Sequence, residues 1–205
     1  MKKVLLLFSL LALVIIISSF SNEGETRDIS LLRPNYTSTV PTKNQSIYNQ
    51  INIPFVGKSF NGFREAIAFK ESQGKYNTVN TLGYLGKYQF GRTTLERFNI
   101  YNTRHFLQDP ELQEDAFRAL CSVNKWILRR DIKRSAGKTI NHIKITESGI
   151  LAAAHLAGAG NVKKYLRSNG SFDFKDAYGS SVQHYLKQFS GYDTSIIEAS
   201  KNPAL

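Results

Sequence analysis

The sequence predicts a mainly α-helical domain with at most one small, irregular β-hairpin. Three observations predict it. Apolar residues recur at helical spacing from Phe60 nearly to Tyr192. Helix-start chemistry precedes several of those stretches, as in Asp109-Pro110, Thr146-Glu147 and Ser180-Ser181. Strand signals are weak and confined to the segment between Tyr76 and Tyr88. A chain of 205 residues, 41% hydrophobic and 12% aromatic, suits one well-packed domain and is short for two.

In chain order, Phe63, Ala66, Ile67 and Lys70 mark a first helix over about 59–73, which Gly74 can end in a left-handed cap. A segment rich in Gly, Asn and Thr follows, and Thr93 or Thr94 starts a short helix to Phe98. Asp109 with Pro110 launches a long helix to about Arg134. Thr146 and Glu147 start another, running over Ile150 to Leu156, broken at Gly158 and Gly160 and resumed through Tyr165. Ser180 and Ser181 precede a last amphipathic helix, Val182 to Phe189. No internal repeat is detectable. The organisation expected is a leader over 1–21, a flexible arm or linker over 22–57, a folded domain over 58–192 and a C-terminal tail over 193–205.

The amino terminus has two lysines and then an apolar run, Val4 to Ile17, with Ser19 and Ser21 at cleavage-compatible positions. That pattern reads as a secretory signal, or as a membrane tether if uncleaved, and gives an exported protein, periplasmic or extracellular, with no stable membrane span after cleavage. Residues 22–57, rich in Ser, Thr, Asn and Pro, show no sustained period. The single cysteine, Cys121, excludes an intramolecular disulfide, and its apolar neighbours at helical spacing make it a core residue. The formal net charge is +11, and removal of Lys2 and Lys3 with the leader leaves +9. Such a balance favours a polyanionic partner. Export and the lack of zinc-finger, leucine-zipper or RNA-binding motifs argue against nucleic acid, which stays a rival on charge alone, so an anionic wall polymer fits better. The basic run from Lys125 to Lys138 is read as a solvated helix face.

The residue that points to chemistry is Glu71. Phe63, Ile67 and Glu71 share one helix stripe, so the carboxylate extends an apolar row at the negative end of the helix dipole. That environment disfavours the charged form and suits a general acid. A plain helix-end surface glutamate is the alternative. Downstream, Tyr76, Tyr84 and Tyr88 offer faces for sugar rings or belong to the core, and Asn77, Thr78 and Asn80 carry short polar groups suited to hydroxyl and acetamido contacts or to ordinary turns. No metal or cofactor is expected: the four histidines, His105, His142, His155 and His184, lack ligand spacing.

Three blocks, in order, resemble the lytic transglycosylases of bacterial cell walls, in the lysozyme-like superfamily. They are Glu71-Ser72, then Gly83 to Phe90 followed by Thr94, then Ala153 to Val162. The resemblance covers roughly 60–166. It implies a lysozyme-like helical domain, Glu71 as the catalytic acid, and Ser72 and Gln89 as residues that hold the acid or contact sugar. Tyr88 stands where that family usually has Met. His155 replaces a Tyr thought to act near the acid, so it either keeps a hydrogen-bonding group there or is a buried core histidine. Leu156 replaces an Asn and removes an amide.

No Asp or Glu occurs from Ser72 to Leu95. Retaining glycosidases need a second carboxyl about 5 to 5.5 Å from the acid, and inverting ones need it about 6.5 to 9.5 Å away. Its lack in this segment favours a single-acid route. The resemblance then implies that Glu71 protonates the β-1,4 glycosidic oxygen between N-acetylmuramic acid and N-acetylglucosamine of peptidoglycan, then acts as base while the muramoyl C6 hydroxyl closes a 1,6-anhydro end. The rivals are a muramidase-type hydrolase, with Glu147 or Asp173 folding into the cleft, and an inactive wall-binding or assembly protein.

Overall fold

The computed structural model describes residues 57–205; the expected leader and the arm up to residue 56 lie outside the described residues. Described here are helices α1 (Phe60–Ser72), α2 (Arg92–Glu96), α3 (Thr103–Gln108), α4 (Pro110–Ser135), α5 (Glu147–Arg167) and α6 (Val182–Gln188), with a two-stranded antiparallel sheet, β1 (Thr139–Ile140) and β2 (Ile143–Lys144). The mainly helical class is therefore observed. The sheet lies elsewhere than expected. Between Tyr76 and Tyr88 the only ladder elements are isolated bridges, Val79 to Leu85 and Leu85 on to Phe90. The true hairpin pairs Ile140 with Ile143 across a two-residue turn, Asn141-His142, whose φ angles of 48° and 62° are those of a primed hairpin turn.

The helix starts follow the expected chemistry. Ser59 accepts the amide of Gly62, Asp109 that of Leu112, Thr146 that of Gly149 and Ser181 that of His184. Pro110 occupies the first turn of α4, and Lys133 and Arg134 its last, opposite in sign to the dipole there. α1 ends one residue before the expected glycine, at Gln73 with φ 58°, and Gly74 then continues left-handed. α2 starts after Gly91, slightly ahead of either threonine. Helix α3, which carries no long apolar period, was not expected; Asn102 caps it.

α4 spans about 39 Å at the standard rise and forms the spine against which α5 packs. α5 also packs on α6, and the crossing is tight at Gly149, where a Cβ would stand 2.6 Å from the Leu186 carbonyl oxygen. Of the two expected breaks in α5, Gly158 is one, with φ 75° and ψ 151°, while Gly160 continues the helix. Asp131, buried on α4, accepts bonds from Arg134 and, at 3.3 Å, from Arg167 of α5. Phe63, Ile67, Tyr88, Phe117 and Ile150 are fully buried in one continuous core. Cys121 belongs to it, and burial pushes its thiol up to about 12.

The last thirteen residues pack on the domain. The Asp193 amide donates to the Lys58 carbonyl, Ile197 is buried, and the Ser122 hydroxyl donates to the Glu198 carbonyl. Among the described residues no helix is long and apolar enough to cross a membrane.

Two glycines of α5 should respond oppositely to substitution. Gly149→Ala drives a methyl into backbone and should cost about 1–3 kcal/mol, lowering Tm by roughly 2–10 °C. Gly160→Ala meets open space in a helix and should gain up to about 1 kcal/mol. Thermal denaturation followed by circular dichroism reads both.

Candidate active site

Glu71 stands in the last turn of α1, half-buried, above the fully buried Phe63 and Ile67 of the same stripe. Its Oε1 accepts a 2.8 Å hydrogen bond from the hydroxyl of Tyr185, on α6. Burial first, and then the charge of Glu71 and the bond to it, push the Tyr185 phenol well above its ordinary value. The phenol is thus a standing donor that fixes one carboxylate oxygen. Oε2 accepts no hydrogen bond from the described residues. Glu71 lines a cavity of about 200 Å³. Leu82, Tyr84 and Gln89 form one wall, His155 and Leu156 of α5 a second, and a loop containing Phe174, Asp176 and Tyr178 a third. A second cavity of about 540 Å³ adjoins it and shares Leu82, Tyr84, Gln89, His155 and Leu156.

The first wall owes its shape to Lys87. This side chain, 3% exposed, donates 2.7 Å bonds to both Glu65 of α1 and Glu114 of α4, and a 3.2 Å bond to the Tyr76 hydroxyl. Its backbone is held as well: Lys87 N donates to Gln113 Oε1 at 2.8 Å, and Ser72 Oγ donates to Lys87 O at 2.7 Å. Gln113 approaches so closely that a Cβ on Gly86, whose φ is 73°, would stand 2.2 Å from its Oε1. Glu114 also accepts from the hydroxyls of Tyr76 and Tyr88, at 2.7 and 2.6 Å, and pairs with Arg64 at 3.2 Å. Burial works against the Glu114 charge, but the bonds from Lys87, Tyr88 and Tyr76 outweigh it and hold the carboxyl below its ordinary value. Burial likewise opposes the Lys87 charge, and its bonds to Glu114, Glu65 and Tyr76 outweigh that, raising it above the ordinary ammonium.

These contacts sort the expected site residues. Glu71, Asn80, Tyr84, Gln89 and His155 come together around the cavity. Asn80 Oδ1 accepts the amides of Leu82 and Tyr84 and so shapes the wall. Gln89, left-handed at φ 51°, donates through Nε2 to the Gly86 carbonyl. Tyr84, 43% exposed, offers a free ring face. Tyr88 does not line the cavity: it is fully buried, stacked on Phe117 with ring centroids 4.1 Å apart. Tyr76 faces the Lys87 cluster, and Ser72 clamps the wall to the helix end, so neither lines the cavity. The buried charge cluster had drawn in aromatics that the sequence offered as stacking surfaces.

His155 lies between the two alternatives weighed for it. Its Nε2 is 2.8 Å from the Tyr88 carbonyl, an acceptor only, so Nε2 carries the proton. Nδ1 is then a lone-pair acceptor, buried without a partner among the described residues. The ring packs edge-on against Phe90 and Phe117, yet its edge lines both cavities.

Two carboxylates expected as rival second acids are occupied elsewhere. Glu147 binds Lys125 and Thr194, and Asp173 accepts the Gln183 amide beside a different cavity. The residue that does share the Glu71 cavity is Asp176, which the sequence reading had passed over. Its Oδ1 accepts the amides of Tyr178 and Ser180, at 3.0 and 2.7 Å, a turn-forming pattern. The expectation of a cleft with one acid is therefore not met. Tyr185 falls within the expected last helix but carries no sign of this role, since it lies 114 residues from Glu71.

Removing one partner of the Lys87 cluster should be costly. Glu114→Gln leaves a buried ammonium short of one charge and should destabilise by about 3 kcal/mol at pH 7, read from urea midpoints. The unfolded Glu114 titrates near 4.5 and the folded one lower. Its stabilisation is thus complete above about pH 4.5 and is lost as pH falls toward the folded value. The variant should therefore lose less stability than the wild type between pH 5 and 3.

No protein-family model, curated protein or solved structure matches this chain.

Proposed function

We propose that this protein cleaves the β-1,4-linked glycan strands of peptidoglycan, with Glu71 as the proton donor. The observation that carries the proposal is the Glu71 carboxylate at the end of a buried stripe, with one oxygen fixed by the Tyr185 phenol and the other unbonded beside a cavity. A general acid needs that arrangement: a defined orientation, partial exclusion of water and an oxygen free to reach the leaving group. Tyr84 offers a ring face, and Gln89 and Asn80 bring amides beside the cavity, a mixture suited to hydroxyl and acetamido groups.

In the first step Glu71 Oε2 gives its proton to the glycosidic oxygen as the bond to the anomeric carbon breaks. In the second, the resulting carboxylate takes a proton from the C6 hydroxyl of the muramoyl unit as that oxygen bonds to the anomeric carbon, forming the 1,6-anhydro end. No water is consumed. This is lytic transglycosylase chemistry, as the three sequence blocks suggest. Asp176 favours a second reading, hydrolysis, because a carboxylate in the same cavity can activate water for the second step.

Mass spectrometry of digested, purified wall separates the two. Anhydro ends support the transglycosylase; reducing ends support the hydrolase. Glu71→Gln should lower release at least about 100-fold. Tyr185→Phe removes the orienting bond and should cost about tenfold. Asp176→Asn keeps an oxygen for the Tyr178 and Ser180 amides, so it separates chemistry from loop structure. Release unchanged by this substitution excludes Asp176 as a base, and loss of release with Asp176→Asn supports hydrolysis. If the wild type releases nothing but still sediments with wall, the wall-binding reading replaces both.

A further inference from the structure

The acid belongs to a ring of chain closed at two hydrogen bonds. One is the Tyr185 bond to Glu71 already described. The other joins Tyr178 Oη to Thr81 Oγ1 at 2.8 Å, and it links two loops that both line the acid cavity, through Asn80 and Leu82 on one and Ala177 and Tyr178 on the other. From Glu71 the ring runs along the first loop to Thr81, across to Tyr178, along the chain to Tyr185 and back to Glu71. Asp176 stiffens the second loop beside the bridge by holding the amides of Tyr178 and Ser180. The bridge itself is made by exposed side chains, Tyr178 being 63% exposed, so no core packing requires it.

Space is also unequal between the two cavities. The one that Glu71 lines, about 200 Å³, is below the roughly 300 Å³ at which pockets begin to hold drug-sized ligands. The adjoining cavity across Tyr84, Gln89 and His155, at about 540 Å³, is well within that range. A polymer lying in the larger cavity therefore reaches Glu71 only by extending into the smaller one, which is lined by the Tyr178 loop as the larger cavity is not.

Resting on the proposed strand cleavage, we propose that the Tyr178–Thr81 bridge makes this protein specific for strand ends: a glycan terminus enters the smaller cavity, and short fragments are released from that end. A continuous strand is admitted to Glu71 only when the bridge opens. Tyr178 and Thr81 are then specificity-determining residues, with no part in proton transfer.

The test follows product length against time on long, purified glycan strands. Expected for the wild type are short products from the first minutes while the remaining strands stay long. Tyr178→Phe and Thr81→Val each remove the bridging pair but keep the bulk of the side chain, and each should raise the share of internal cuts about two- to tenfold, the range that loss of one neutral hydrogen bond allows. Early collapse of strand length with the wild type, or no change in either variant, overturns the end-specific reading. A second measurement stands apart from catalysis: pull-down of Glu71→Gln protein with strands whose two ends carry bulky dye caps. Capping should weaken capture by Glu71→Gln at least several-fold and should matter less when Tyr178→Phe is added. Equal capture of capped and free strands by Glu71→Gln overturns the bridge proposal even if no cutting is detected. Unimpaired cutting by Glu71→Gln instead overturns the assignment of the acid and leaves the product-length result to judge the bridge.

Discussion

The buried ammonium of Lys87 is the constraint from which the rest of the site follows. A charge at this depth is tolerable only with opposite charges and donated bonds around it, and Glu65, Glu114 and Tyr76 supply them from three parts of the chain. To meet those partners the Gly-rich segment must lie flat against α1 and α4. That fixes Gly86 against Gln113, and it sets Tyr88 on Phe117 with its carbonyl facing His155. The wall of the cavity is thus positioned by the Lys87 charge cluster, with Asn80 and Gln89 adding local backbone bonds from the cavity lining.

The wall made by the loop of Phe174 to Tyr178 is built by other means. Among the described residues it has no buried ion pair; its loop is shaped by Asp176 acting on its own backbone and by the docking of α6 across Gly149. One wall is rigid and the other is held by a few hydrogen bonds. Between them α1 delivers Glu71 and α6 delivers Tyr185, so the acid and its orienting partner depend on the tight α5 crossing as much as on their own helices. A packing change at Gly149 would be felt at the carboxylate through Tyr185.

Much of the helical scaffold was legible in the sequence, because caps are local. Asp109 with Pro110, Thr146 and Ser181 each act within three residues, and each starts a helix as expected. α3 was not legible, since six residues give no period to detect. The hairpin was misplaced because Asn141-His142 lacks the glycine that usually marks a primed turn, and both residues take left-handed backbone anyway. At the site, Glu71 was readable from its own helix stripe. Lys87 was not, because its partners lie 22 and 27 residues away and nothing in its neighbours announces burial. Asp176 and Tyr185 were hidden for the same reason: a turn aspartate and a helix tyrosine gain their meaning only when the chain brings them to the cavity that Glu71 lines.

The lone cysteine adds a property of a different kind. With Cys121 sealed in the core and its thiol pushed to about 12, the folded chain has no reactive sulfur to offer an oxidising milieu. An opened chain exposes that sulfur with no internal mate, so any disulfide it forms joins it to another molecule. Misfolding would then be trapped covalently, as crosslinked dimers, while correctly closed molecules stay monomeric toward oxidants. Integrity of the core and redox inertness are, in this chain, the same property.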